Sequence, residues 1–336
     1  MREIDGGKIV IYLCSVALVV LSVPLVKKFS RTRGKNPIYH AAFAGVALAL
    51  LGLLPDYIQN EIFSPGGVLV IGTIVPVYES IVAVCTPGEE DDSAWLQFWI
   101  ASGTLSYCTE WIDEVREHFP SGGEHWYEIE FFVTLWMLLP FTDGAALIYD
   151  LVTEPYIAPV AQKIKDKVEG WISVILTMVN TSYLYFTWFL FMSFPEDQRR
   201  FAVVAVGTVY PLAASTIAIT TKSDASDDTF WLTYWSCFSL LFIAMDYLEN
   251  FVGSIRGFYS LCLLATIYLF LPMFDGANVV FRRVLVPLSG QYENMLIRDA
   301  YLVRKGMEAS IPAEYHGSVF QKAADVFVAP KQKASQ

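Results

Sequence analysis

Residues 91–99 and 227–235 carry the same short block of sequence, and this repetition decides the fold. The first block reads Asp91-Asp92-Ser93-Ala94-Trp95-Leu96-Gln97-Phe98-Trp99, and the second reads Asp227-Asp228-Thr229-Phe230-Trp231-Leu232-Thr233-Tyr234-Trp235. Upstream, Gly72-Thr73 recurs as Gly207-Thr208, and downstream, Asp143-Gly144-Ala145 recurs as Asp275-Gly276-Ala277. Three blocks that keep their order at offsets of 132 to 136 residues indicate an internal duplication, with a period too long for a solenoid.

The composition places the chain among membrane proteins. Hydrophobic residues make up 54% of the sequence and charged residues 17%, whereas a soluble domain carries about 25% charged residues. The apolar runs are 9–26, 38–54, 67–84, 95–111, 126–141, 171–194, 201–221, 229–251 and 258–274. A bilayer span takes about 20 residues, so the shorter runs leave two arrangements open: tilted full spans, or hairpins that enter the membrane and return.

The distribution of charge predicts an orientation and excludes one class of partner. Of the 23 Lys and Arg residues, 17 lie in four segments, which would be cytosolic if every apolar run crosses: 27–37, 142–170, 222–228 and 275–336. Basic residues directly after the run 9–26 predict a retained N-terminal transmembrane helix. The net charge of −11 and the lack of a basic patch argue against nucleic-acid binding. The five cysteines lack paired spacing and are predicted to be free thiols.

These observations predict an all-α, polytopic integral membrane protein. It would contain an N-terminal anchor and basic loop (1–37), a first repeat (38–170), a second repeat (171–310) and a flexible tail (311–336). Each repeat contains four apolar segments, and because four is an even number, both repeats keep the same orientation in the membrane.

Each repeat closes with a turn and an amphipathic helix. The turn has the pattern Pro-x-x-Asp-Gly-Ala and contains Pro140, Asp143 and Gly144 in the first copy and Pro272, Asp275 and Gly276 in the second. Pro and Gly end one helix, and Asp is expected to cap the next. The amphipathic helices carry apolar stripes formed by Ile157, Val160, Ile164 and Val168, and by Tyr292, Leu296, Val303 and Met307. We expect them in the headgroup layer, with cations such as Arg298 toward lipid phosphates, although packing on a partner is an alternative.

The ordered signature of both copies resembles the receptor-expression-enhancing protein family, also called the deleted-in-polyposis family of reticulon-like membrane hairpin proteins. The signature comprises an acidic loop, the Trp-Leu-x-aromatic-Trp block, an apolar hairpin, the Asp-Gly-Ala turn and a basic amphipathic tail. The resemblance covers roughly 67–168 and 201–300. It implies hairpins and an amphipathic helix that bend the endoplasmic reticulum membrane, and it implies membrane lipids, other membrane proteins or further copies of the chain as partners.

The sequence also departs from that family. It has two copies where one is usual, an additional N-terminal run, and a charged tip at 112–125 that would be costly inside a leaflet. A structural accessory subunit of a large membrane complex, for instance in the mitochondrial inner membrane, is therefore an alternative to membrane shaping. A transporter built from parallel repeats is a third hypothesis.

Several residues are candidate sites. Trp95, Trp99, Trp231 and Trp235 are interpreted as interfacial anchors that set helix depth. Glu110 and Asp246 occupy matching positions inside apolar runs and could form an ion site, although a carboxylate near a hairpin end that bonds a neighbouring helix is the favoured interpretation. The spacing of His118 and His125 fits no metal motif. No catalytic residue, cofactor site or metal site is predicted.

Overall fold

The fold was analysed in a computed structural model that describes residues 37–87, 89–116, 126–177, 181–221, 225–252, 257–271 and 273–310. Within these ranges every regular element is helical, which confirms the all-α prediction. The predicted anchor helix 9–26, the tip segment 117–125, the tail 311–336 and Pro272 lie outside the described residues.

The described part of residues 37–177 forms the helices α1 to α8. Their bounds are Pro37–Leu53, Asp56–Ile62, Pro65–Leu69, Val75–Cys85, Glu89–Arg116, Trp126–Leu138, Gly144–Ile148 and Ala158–Thr177. A π-helical turn at Val70–Ile74 joins α3 to α4, and a longer one at Tyr149–Ile157 joins α7 to α8.

The described part of residues 181–310 forms the helices α9 to α15. Their bounds are Thr181–Ser193, Glu196–Thr221, Ala225–Val252, Phe258–Phe270, Gly276–Val280, Val286–Ser289 and Tyr292–Ser310. A π-helical turn at Phe281–Leu285 joins α13 to α14.

The duplicated blocks fold into helices of equal length. The helices α5 and α11 each contain 28 residues, α6 and α12 each contain 13, and α7 and α13 each contain 5. The sequence predicted that the acidic residues before each Trp-Leu block form a loop. In the structure they belong to the first turns of helices, since α5 begins at Glu89 and α11 at Ala225. Carboxylates in a first helical turn are favoured by the positive end of the helix dipole.

Among the described residues, two helices are long and apolar enough to span a membrane. They are the continuous helix Pro65–Cys85, which includes the first π-helical turn, and α10. These two segments occupy matching positions of the duplication, since one contains Gly72 and the other Gly207, so both copies carry the same apolar element. Exposed large side chains such as Tyr185, Phe186 and Phe189 on α9 leave apolar surface on the outside of the protein.

The returning arm of the second hairpin is short. The helix α12 has 13 residues and is bounded by Gly257, with φ of 103°, and by Leu271, which is extended. At 1.5 Å per residue this helix measures about 20 Å, whereas the hydrocarbon core is about 30 Å thick. The helix α12 therefore cannot cross an undistorted bilayer, which favours the hairpin arrangement for this segment of the second copy.

The Asp-Gly-Ala turn has the same unusual backbone in both copies. Asp143 and Asp275 both have φ of 49°, in the left-handed region that Asp tolerates better than most residues. Neither Asp side chain makes a cap hydrogen bond to the helix that follows, so the predicted capping role is wrong. The Asp instead supplies the backbone conformation that reverses the chain.

The glycine of this turn is required for close packing. A Cβ atom at Gly144 would lie 2.5 Å from the ring of Trp136, and one at Gly276 would lie 2.1 Å from the backbone oxygen of Tyr268. Trp136 and Tyr268 are matching positions of the two copies. The turn therefore presses the chain against the end of the preceding helix in the same way twice.

The described residues divide into two compact units, and each combines segments of both copies. The first unit comprises the described residues within 37–76, 96–177 and 208–221, and the second comprises those within 77–95, 181–207 and 225–310. The helix α8 runs continuously through residues 170 and 171, where the sequence placed the boundary between repeats. The boundary between the repeats is therefore defined by the duplicated sequence alone, and as a structural boundary it stays a prediction.

Within the second unit, α11 packs against the end of α10. Tyr234 is fully buried, and its hydroxyl donates a 2.6 Å hydrogen bond to the backbone oxygen of Gly207. A Cβ atom at Gly207 would lie 2.2 Å from the ring of Phe238, so the repeated Gly-Thr block provides the space for this contact. The core beside it contains Val203, Met245 and neighbours from α12.

We expect Gly276→Ala to destabilise the protein by about 2–3 kcal/mol, because the added methyl group would overlap a backbone oxygen that cannot move alone. The control is Gly306→Ala in α15, where nothing lies within 4 Å of the added Cβ. That substitution should leave stability unchanged or raise it by up to about 1 kcal/mol. Thermal unfolding of the detergent-solubilised chain measures both. Equal melting temperatures for the two variants would contradict the packing described for the turn.

Candidate functional site: a polar seam and the helix it holds

The two acidic blocks meet in a reciprocal pair of hydrogen bonds, which we call the seam (Asp92, Ser93, Asp228 and Thr229). The Ser93 hydroxyl donates to Asp228 Oδ2 at 2.6 Å, and the Thr229 hydroxyl donates to Asp92 Oδ2 at 2.5 Å. These four residues are two matching pairs of the duplication. Each copy thus supplies one acceptor and one donor, as two subunits of a symmetric dimer would.

The seam carboxylates are removed from water. Burial raises the pKa of the Asp92 carboxyl above its ordinary value, while the hydrogen bond from Thr229 and the charge of Arg298 offset part of this rise. Burial likewise raises the pKa of Asp228, against the hydrogen bond from Ser93. Within the described part of the chain, the second oxygen of each carboxylate is buried without a hydrogen-bond partner. A buried acceptor without a partner costs free energy of folding, so the stability of the seam depends on the hydrogen bonds that its carboxylates do accept.

Arg298 of α15 enters this seam. Its guanidinium donates to the backbone oxygen of Val84 and, at 3.2 Å, to the Thr229 hydroxyl, and it lies 3.9 Å from Asp92 Oδ2. Both charged side chains are nearly buried. The expectation that Arg298 points toward lipid phosphates is therefore wrong, because the buried carboxylate holds this cation inside the protein.

Two further contacts hold the same helix. Arg282 forms a two-pronged ion pair with Asp299, with N–O distances of 2.7 and 2.8 Å, which raises the pKa of Arg282 and lowers that of Asp299. Met295 is buried, with its sulfur 3.9 Å from the Cys85 sulfur. Positions 295, 298 and 299 thus dock α15 onto the rest of the second unit.

The predicted apolar stripe of α15 faces outward. The exposed fractions of Tyr292, Leu296 and Val303 are 62%, 52% and 63%, although large apolar side chains are more often buried. The side chain of Met307 lies outside the described residues. An exposed apolar stripe on an amphipathic helix is typical of a helix that inserts one face into lipid.

The amphipathic helix of the first copy is less exposed along its stripe. Val160 is 49% exposed, whereas Ile157, Ile164 and Val168 are half-buried and Ala161 is fully buried. The position that matches Arg298 is Asp166, which accepts a hydrogen bond from Gln162 of the same helix at 2.8 Å. Its opposite charge prevents a contact of the Arg298 type.

Three of the four tryptophans predicted as interfacial anchors belong to the core. Trp99, Trp231 and Trp235 are at most 9% exposed, so their rings contact protein instead of headgroups. Trp231 and Trp235 each pack edge-on against Tyr234. Trp95 is half-buried and is the one member for which the anchor interpretation stays a prediction. The spacing of four correctly placed these rings on one helical face, but that face points inward.

Of the two candidate intramembrane acids, the structure describes the side chain of Asp246 only. Asp246 is 46% exposed and forms a 2.8 Å ion pair with Arg200, which also lies 3.3 Å from Glu249. This arrangement supports a carboxylate that bonds a neighbouring helix near the hairpin end. The side chain of Glu110 lies outside the described residues. Among the described residues no group of three or more His, Cys, Asp and Glu is placed to hold a metal ion.

Sequence reasoning did not single out the seam hydroxyls or the role of Arg298. The signal for the hydroxyls was present, because both acidic pairs are followed by a hydroxyl residue, Ser93 or Thr229. Arg298 carried no such signal, since its contact joins residues 69 or more positions apart in the chain.

Comparison with known proteins places these features in a family. The sequence model of the TB2/DP1, HVA22 family matches residues 76–156 and again 211–288. The chain is 31% identical over 83 residues to HVA22-like protein e of Arabidopsis thaliana, covering 25% of the chain and 68% of the relative. It is 27% identical over 132 residues to Protein YOP1 of Mycosarcoma maydis, covering 39% and 71%.

The coverage of other relatives is lower. Receptor expression-enhancing protein 6 of Danio rerio is 30% identical over 138 residues, covering 41% of the chain and 58% of the relative. For Receptor expression-enhancing protein 3 of Homo sapiens the chain spans 37% of the relative. No solved structure matches the chain.

We expect Arg298→Ala to release α15 from the rest of the second unit, because it leaves the buried Asp92 without its cation. Breaking a buried pair in this way costs about 3 kcal/mol or more. Hydrogen–deuterium exchange of the solubilised chain should show faster exchange across 292–310. Leu302→Ala on the same helix, at an exposed position, is the control and should exchange like the wild type. Unchanged protection in Arg298→Ala would contradict the anchoring role.

Proposed function

The chain belongs to the TB2/DP1, HVA22 family and carries that family's domain twice, and from this premise we propose that it is an integral membrane protein that generates or stabilises membrane curvature. The relatives named as YOP1 and receptor expression-enhancing proteins support this proposal. We place its site of action in the endoplasmic reticulum membrane, as the resemblance implies, with lipids and further membrane proteins or copies of the chain as partners.

The observation that carries the proposal is the short returning helix. The helix α12 ends about 10 Å short of what a full crossing needs, while its partner α11 has 28 residues. A hairpin with one long and one short arm occupies one leaflet more than the other. Such an imbalance in area favours a bent bilayer over a flat one.

The amphipathic helix α15 adds to the same imbalance. Its exposed stripe would enter the headgroup layer to a depth of about 5–10 Å, which expands one leaflet only. The contacts of Arg298 and Asp299 hold this helix against the hairpins. The hairpin with unequal arms and the amphipathic helix would therefore expand the same leaflet at the same place. Among the described acids Asp246 is paired at an exposed position, so no observation favours the transporter hypothesis.

The proposal predicts that the purified full chain converts spherical liposomes into tubules, as seen by electron microscopy. The double variant Leu296→Asp/Val303→Asp should lose most of this activity, because each change forfeits about 1 kcal/mol or more of apolar transfer free energy and adds a charge that resists insertion.

Asn294→Asp is the matched control, since it adds a negative charge to the exposed polar side of the same helix. It should form tubules like the wild type. Two results would contradict the proposal. One is that vesicles with inserted wild-type protein stay spherical at every protein-to-lipid ratio, and the other is that the double variant forms tubules as well as the wild type does.

A further inference from the structure

A cavity of ≈ 300 Å³ lies at the turn that follows α12. It is lined by Asp275, Asn278, Val279, Arg282 and Arg283. All five residues belong to the second unit, and neither the hairpins nor the docking of α15 accounts for the complete set.

The charges around this cavity are only partly neutralised. The two Nη atoms of Arg282 bond Asp299. Asn278 donates to Asp275 Oδ1 at 2.6 Å, which leaves the other oxygen of that carboxylate to accept. In the part of the chain that the structure describes, Arg283 makes no ion pair or hydrogen bond. The cavity therefore offers one guanidinium and one carboxylate oxygen to a ligand, which calls for a ligand with both an anionic and a cationic group.

The surroundings of the cavity add an apolar requirement. Met273, Phe274 and Val284 flank it in sequence and are exposed by 55%, 50% and 53%. The turn also lies where the apolar run 258–274 ends and polar sequence begins. A molecule that carries a charged headgroup on apolar chains would satisfy both the lining and its rim.

The first copy shows that the turn itself does not require these residues. At the matching positions Arg282 is replaced by Asp150, Arg283 by Leu151 and Asn278 by Ala146, while the turn keeps the same backbone. The cation and the amide are thus additions to the second copy, beyond what chain reversal demands.

We propose that this cavity binds the headgroup of a phospholipid whose phosphate is linked to a primary ammonium, as in phosphatidylethanolamine. Arg283 holds the phosphate, and the Asp275 carboxylate accepts a hydrogen bond from the ammonium. A trimethylammonium group has no N–H to donate, so phosphatidylcholine makes only the phosphate contact. The inference rests on the proposed function only in taking the chain to be membrane-inserted.

The test uses the purified full chain in detergent and native mass spectrometry with added phosphatidylethanolamine, phosphatidylcholine or phosphatidylglycerol. We expect about fivefold higher retention of phosphatidylethanolamine than of the other two, the ratio that one partly exposed charge pair supports. Arg283→Leu, which installs the residue of the first copy, should lower retention of all three lipids. Asp275→Asn, which tolerates the left-handed backbone, should abolish only the preference for phosphatidylethanolamine.

Asp143→Asn in the matching turn is the control and should behave like the wild type. Thermal unfolding confirms that each variant is folded, and Arg283→Gln replaces the leucine variant if that one is not. Equal retention of the three lipids, retention unaffected by loss of Arg283, or preference for phosphatidylglycerol would each overturn the proposal. Because the assay needs no curvature, a chain that selects lipid here yet forms no tubules would contradict the proposed function alone.

Discussion

The burial of two carboxylates at the ends of matching helices is the constraint on which the rest of the structure depends. Asp92 and Asp228 can be taken out of water only because each receives a hydroxyl from the other copy. A charge buried without partners would cost far more than the few kcal/mol by which a protein of this kind is stable. The duplication thus allows one chain to satisfy its own acidic blocks internally.

Burial decides which ion pairs matter. Arg298 and Asp92 are nearly excluded from solvent, and the loss of one partner leaves a buried charge. Arg200 and Asp246 are each almost half exposed, and such pairs contribute about 1 kcal/mol or less in water. The first pair therefore determines where α15 lies, whereas the second stabilises the end of a hairpin. The difference between the two copies is consistent with this, since Asp166 replaces Arg298 in the first.

The helices, the duplication and the turns could be predicted from the sequence, because apolar periodicity and Pro-Gly signals act over short distances. The family model that matches residues 76–156 and again 211–288 confirms the duplication most directly. The direction in which each face points could not be predicted: Trp99, Trp231 and Trp235 have the spacing of one helical face, but spacing does not distinguish a face toward lipid from one toward protein. The predicted orientation of Arg298 toward lipid was wrong because its partners are distant in the chain, and the spacing of residues on one helix does not reveal them. The capping role expected of Asp143 and Asp275 is wrong, because both residues have a left-handed backbone instead of the extended backbone that a capping residue typically has.

The most direct test of this account is a disulfide cross-link across the seam in the membrane-embedded chain. In a variant without its native cysteines, Ser93→Cys and Asp228→Cys would place two thiols where the hydroxyl and carboxylate now lie 2.6 Å apart. The account predicts rapid intramolecular cross-linking under mild oxidation, while Ser93→Cys paired with Asp246→Cys at the far end of α11 forms none. Cross-linking that occurs only between separate chains, or not at all in folded protein, would contradict it.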